Sequence, residues 1–162
     1  MSGFKEALDS GADFFELDLH LSADDVPIVF HDPVVSDRVC RTPRPAPVRL
    51  LTAKELREID CGSIPQRHFP DQRPIPGEKI PMFEQVLKWL SSETTDFGVN
   101  IEIKMEAVIP EQMPTPELFA KKVVDLVHKY KVGSRAIIQS FDFRPLAEVK
   151  KLDPSIFMSC LF

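Results

Sequence analysis

The spacing of apolar and polar positions changes several times along the chain, and each change predicts an element. Phe4, Ala7 and Leu8 recur at helical spacing ahead of Gly11, so residues 3–10 are expected to end a helix. Phe14 to Leu21 alternates apolar and polar side chains, and Val26 to Phe30 is short and β-branched, so both are expected to be strands. The link between them is too short for a crossover helix, which predicts a hairpin turning at Asp24 and Asp25. Paired residue numbers then sum to 49, placing His31 opposite Asp18. Two parallel strands would also bring His31 toward Glu16 and Asp18, at their C-terminal ends.

From Pro33 to Pro81 the sequence is rich in proline, as expected of a long irregular excursion. Inside it, Thr52 with Glu55 forms a capping-box pattern, and Leu56 and Ile59 give an inward face, so Thr52–Asp60 is expected to be a short helix. A further helix is predicted near Pro81 from Phe83, Val86, Leu87 and Leu90. Strand and helix patterns then alternate: strand Val99–Lys104, helix Thr115–Tyr130, strand Ala136–Phe141, helix Phe143–Leu152 and strand Ile156–Phe162. Pro116 marks one helix start, and Asp142 caps the next. This alternation implies parallel strands and an α/β fold. An open doubly wound sheet and a (β/α)8 barrel both fit. A barrel takes about 250 residues, so a chain of 162 residues holds only about five of its strands. The first strand is not followed by a Gly-rich phosphate loop, which weakens the nucleotide-binding alternative.

Composition narrows the function classes. Lys and Arg number 20 against 25 Asp and Glu, a net charge of −5, which argues against nucleic acid as a partner and favours a small-molecule or metal ligand. No stretch approaches a transmembrane span, and no export signal is visible in residues 1–13. Cys40, Cys61 and Cys160 are odd in number and widely spaced, so they are expected to be reduced thiols in a cytoplasmic protein.

Chemistry concentrates on two strands. Glu16 and Asp18 share one face of the first, and a hard divalent cation would offset two adjacent anions, although a solvated face explains the same pattern. His20 extends that face but lies roughly 6–7 Å further along the strand, and it is expected to be peripheral. His31 could act as an acid, base or ligand, oriented by Asp32, or simply be structural. His68 and His128 are expected at the surface. Asn100, Glu102 and Lys104 share a face on the later strand, where Glu102 would add a third carboxylate and Lys104 a charge for a phosphate oxygen, unless the row is a surface ladder.

Four ordered motifs, Glu-Leu-Asp-Leu-His at 16–20, Asp-Val-Pro-Ile-Val-Phe-His-Asp-Pro at 25–33, Asn-Ile-Glu-Ile-Lys at 100–104 and Ile-Gln-Ser-Phe-Asp at 138–142, resemble the glycerophosphodiester phosphodiesterases. Segments 51–62 and 80–87 are also similar to that family's connections. The resemblance implies a TIM-type barrel, present in part over residues 1–162, that hydrolyses glycerophosphodiesters to glycerol 3-phosphate and an alcohol. It implies Glu16, Asp18 and Glu102 as ligands of Mg²⁺ or Ca²⁺, Lys104 as a phosphate contact, Phe141 as a pocket residue and His31 as one of two catalytic histidines. The family's His-Arg-Gly and Pro-Glu-Asn motifs do not occur here, so by the resemblance the second histidine is missing, as are two closing strands, and impaired turnover is expected. Alternatives are a non-catalytic binding or regulatory protein, its partial barrel closed by oligomerisation, and a sphingomyelinase D-like lipid phosphodiesterase. The motifs at 100–104 and 138–142 favour the first family over the last.

Overall fold

The computed structural model describes residues 1–66, 69–105 and 110–162. In chain order its helices are α1 (Ser2–Asp9), α2 (Ala53–Leu56), α3 (Phe83–Ser92), α4 (Pro116–Lys129) and α5 (Phe143–Leu152). The strands are β1 (Phe14–Leu21), β2 (Pro27–Val29), β3 (Val34–Val35), β4 (Ala46–Pro47), β5 (Gly98–Ile103), β6 (Ala136–Ser140) and β7 (Phe157–Cys160). β2, β1, β5, β6 and β7 form one sheet in that order. Neighbours from β1 to β7 run parallel, and β2 runs antiparallel to β1 at the edge.

Alternation along the parallel strands makes the two faces of this sheet different. Phe15, Leu17 and Leu19 of β1, with Val99, Ile101 and Ile103 of β5 and Ile138 of β6, are buried against Phe83, Val86, Leu87 and Leu90 of α3 and Phe119, Val123 and Val127 of α4. Each such side chain contributes about 1.5–3 kcal/mol by leaving water, and together they fix which way every intervening residue points. The other face carries Glu16, Asp18, Asn100, Glu102 and Gln139. Helices on one face and polar side chains on the other are the outside and inside of a barrel wall: the fold is α/β, part of a (β/α)8 barrel.

The helix starts follow the predicted chemistry. Thr115 Oγ1 accepts from the Leu118 N–H ahead of Pro116, and Asp142 accepts from the Arg144 N–H. Thr52 and Glu55 complete a capping box, although the helix they start ends at Leu56 and does not reach Asp60.

Two expectations need correction. The hairpin between β1 and β2 pairs Leu19 with Val29, His20 with Ile28 and Leu21 with Pro27, one residue out of the predicted register. The cause is a three-residue loop, Ala23–Asp25, closed by the Ser22 N–H on the Val26 carbonyl and with Asp25 at φ 58°. Cys40 and Cys61, expected to be thiols, form a disulfide. The excursion doubles back so that Arg41 pairs with Asp60, bringing the cysteines beside one another across 21 residues. Around this bond Ile28, Val35, Val48, Leu56, Ile80 and Met82 build a second core. His68 lies outside the described residues.

Candidate active site

Parallel pairing aligns two rows across the polar face. Asp18 stands beside Glu102, which stands beside Gln139; one row nearer the N-terminal ends, Glu16 stands beside Asn100. Because the strands are in register, the three acids converge without any contribution from loops. Carboxylate oxygens of Glu16, Asp18 and Glu102 all lie within 4.8 Å of one another.

Lys104, the residue after β5, completes the group. Its Nζ lies 3.3 Å from Asp18 Oδ1 and 3.1 Å from Glu102 Oε1. Lys104 and Glu102 are only 8% and 6% exposed, so a charge on either needs its partner. Burial works against the ammonium, but the Glu102 hydrogen bond and the Asp18 and Glu102 charges outweigh it and hold the Lys104 pKa above its ordinary value. One cation still faces three anions. Glu16 bears the imbalance: partial desolvation of its carboxylate, then the charges of Asp18 and Glu102, raise its pKa, while Lys104 and a Gln139 hydrogen bond pull the other way.

The donor set fits a hard divalent cation. Mg²⁺ and Ca²⁺ hold carboxylate oxygens at about 2.0–2.6 Å, so oxygens on one ion lie up to about twice that distance apart, the spread these three acids already show. Among the described residues no other group of His, Cys, Asp and Glu side chains offers such a set.

The C-terminal end of β6 frames the site. Ser140 is fully buried, donates to the Ile103 carbonyl at 2.7 Å and accepts from the Asp142 N–H, which fixes the strand end beside Lys104. Glu102, Lys104, Ser140, Phe141 and Asp142 line a shallow depression of about 60 Å³. Phe141 is 62% exposed there.

His31 is not gathered into this cluster. The shifted register sets Phe30 opposite Asp18, with the Phe30 N–H on the Asp18 carbonyl. The His31 side chain is 72% exposed, and its Nδ1 lies 2.7 Å from Asp32 Oδ1. A carboxylate only accepts, so Nδ1 carries the hydrogen and Nε2 is left to exchange a proton. His20 is buried and its Nε2 donates to the His31 carbonyl at 3.0 Å, which ties it to the backbone of the neighbouring strand end. The surface expectation holds for His128, which pairs with Asp153.

Three residues had no role assigned from sequence. Asn100 was placed on the Glu102 face and Gln139 was visible only as a member of a motif, neither with a task of its own. Arg49 joins three segments: it donates to the Ser22 carbonyl, to Asp25 Oδ1 at 2.6 Å and to the Gln112 carbonyl at 3.0 Å. One guanidinium therefore ties the β1–β2 loop to the segment after β5. No local pattern in the proline-rich stretch signals it.

The sequence profile described as "Glycerophosphoryl diester phosphodiesterase family" matches residues 1–162. The chain belongs to the glycerophosphoryl diester phosphodiesterase family. Among curated family proteins, a glycerophosphodiester phosphodiesterase of Caldanaerobacter subterraneus is 33% identical over 162 residues, 100% of this chain and 60% of its own length. Glycerophosphodiester phosphodiesterase 1 of Homo sapiens is 26% identical, covering 90% of this chain and 44% of its own. The crystal structure of a putative glycerophosphoryl diester phosphodiesterase from Silicibacter pomeroyi superposes with a TM-score of 0.91 at 24% identity, over 100% of this chain and 59% of that one. An Oleispira antarctica phosphodiesterase, solved with the product sn-glycerol-3-phosphate, gives a TM-score of 0.75 at 21% identity, over 98% of this chain and 57% of that one. The chain thus spans about 60% of the first of these relatives. Among the described residues no helix is long and apolar enough to cross a membrane.

Proposed function

We propose that this chain carries the metal- and phosphate-binding wall of a glycerophosphodiester phosphodiesterase, a phosphoric diester hydrolase releasing glycerol 3-phosphate and an alcohol. The observation that carries this reading is the convergence of Glu16, Asp18 and Glu102 around one point with Lys104 beside them. Family membership and the product-bound relative support the substrate class.

In this reading Glu16, Asp18 and Glu102 hold Mg²⁺ or Ca²⁺, which when bound would supply Lewis-acid polarisation of a phosphodiester oxygen. Lys104 holds a second phosphate oxygen, and Phe141 packs beside the substrate. His31, with its Nδ1–H held by Asp32, gives the departing alcohol the Nε2 proton of its imidazolium form. The family's second catalytic histidine lies in a motif that these 162 residues do not contain, so turnover by this chain is expected to be slight. Glu16→Ala should abolish divalent-cation binding, and glycerophosphocholine hydrolysis should be far below that of a complete relative. Undiminished cation binding by Glu16→Ala would remove the ligand set. Robust metal-dependent turnover would show that one histidine suffices.

A second reading, a non-catalytic binding module, draws support from Phe157, 68% exposed on edge strand β7, where a further strand or a second copy could pair. Cation binding without turnover, in a chain that self-associates, would favour it. The bonded Cys40–Cys61 pair suits an oxidising compartment, against the cytoplasmic setting expected from reduced thiols.

A further inference from the structure

Two carboxamides stand in the acidic rows, and the chemistry proposed above uses neither. Asn100 is beside Glu16 across β1 and β5, and Gln139 is beside Glu102 across β5 and β6. Gln139 nevertheless reaches diagonally: its Nε2 donates to Glu16 Oε1 at 3.4 Å, while its Oε1 accepts from Asn100 Nδ2 at 2.9 Å.

We propose that Asn100 and Gln139 form a positioning relay that orients Glu16 as a cation ligand. This rests on reading the acidic cluster as a metal site. The direction of the relay is set by chemistry. A carboxylate accepts hydrogen bonds and never donates, so the NH₂ end of Gln139 must face Glu16 and its oxygen must face away. Only the NH₂ end of Asn100 can satisfy that oxygen. Asn100 Oδ1 is left buried with no hydrogen-bond partner among the described residues. Burying a carbonyl this way is unfavourable, and two apolar side chains would pack here without it. The arrangement makes sense if the orientation of Gln139 matters.

Gln139 and Lys104 do different things to the acids. Lys104 brings a full positive charge, which competes with any cation for Asp18 and Glu102. Gln139 is 7% exposed and neutral. It occupies one lone pair of Glu16 and leaves the others available, so it restricts the carboxylate without repelling an ion. Groups that orient metal ligands in this way typically change affinity by about 10–100-fold when removed.

The test is calorimetric titration of the 162-residue chain with Ca²⁺ and with Mg²⁺, alongside melting of the metal-free proteins. Gln139→Met should weaken binding by about 10–100-fold. Asn100→Leu should weaken it several-fold in the wild-type background and not at all in the Gln139→Met background, because its effect passes through Gln139. Metal-free Asn100→Leu should melt close to the wild-type temperature, since the unpartnered Asn100 carbonyl is gone while Gln139 Oε1 loses its donor. Wild-type affinity in Gln139→Met, or losses that multiply in the double variant, would overturn the relay while leaving the metal site standing. Failure of the wild type to bind either ion would overturn the metal site and the relay with it. Should Gln139→Met not fold, Asn100→Leu decides alone: unchanged affinity overturns the relay and a several-fold loss supports it.

Discussion

The acidic face and the His31 hairpin adjoin in sequence, yet different forces build them. Glu16, Asp18 and Glu102 sit on strands whose alternate residues are locked into a continuous core, so their direction follows from the burial of Leu17, Leu19, Ile101 and Ile103. The hairpin depends on a loop conformation, on Arg49 reaching in from the excursion, and on a small core around a disulfide. A site whose geometry follows from core packing is hard to disturb by one contact. A site held by long-range contacts is not, and the two regions should therefore respond differently to the same kind of damage.

The largest effect expected is from opening the disulfide. Closing a loop of this size restricts the unfolded chain by about 3 kcal/mol in the chain-entropy picture, so the paired substitution Cys40→Ser with Cys61→Ser should lower stability by about that amount. Hydrogen exchange should report the loss in β3, β4 and the loop at Ala23–Asp25, with the amides of β5 and β6 least affected. Equal loss of protection throughout would mean that the two cores unfold as one, and the comparison would fail.

The same division explains what could be read from sequence. β1 and α5 are found at their predicted bounds, and the acidic cluster forms as expected, because strict alternation and helical spacing report directly on a packed sheet. His31 was misplaced by one residue. A two-residue turn at Asp24 and Asp25 and a three-residue loop with Asp25 in the left-handed region differ by one residue in length and so in register, and no side chain in Ser22–Val26 declares which is chosen. The disulfide was missed because its partners meet only after the excursion folds back. Gln139 was present in a quoted motif, but its diagonal reach to Glu16 needs the β5–β6 register, which sequence periodicity does not supply.

A smaller effect, confined to the acidic face, is expected of Lys104→Met. Removing the ammonium leaves Asp18 and Glu102 without their cation in a nearly buried position. Breaking a fully buried pair costs about 3–5 kcal/mol, and the partial access of Asp18 and Glu16 to water should reduce this to about 1–2 kcal/mol. Affinity for Ca²⁺ should move the other way and tighten, because the competing charge is gone. A Lys104→Met chain that lost stability and also bound Ca²⁺ more weakly would mean that Lys104 supports the ligands and does not compete for them.

The smallest expected effect tests whether Glu16 carries the excess negative charge. Its folded-state pKa is raised above the ordinary value of 4.5 by desolvation and by Asp18 and Glu102. Below that value both folded and unfolded chains hold the proton, and Glu16 contributes no pH dependence. As pH rises through the window between 4.5 and the raised value, the unfolded chain ionises first, so the metal-free protein loses stability. Glu16→Gln cannot ionise and should escape that loss, melting progressively higher relative to wild type across this window. Saturating Ca²⁺ should reverse the order, because a bound cation favours the ionised carboxylate and the wild type then gains stability as pH rises. If wild type and Glu16→Gln kept a constant difference across the window without metal, the excess charge would lie elsewhere in the cluster.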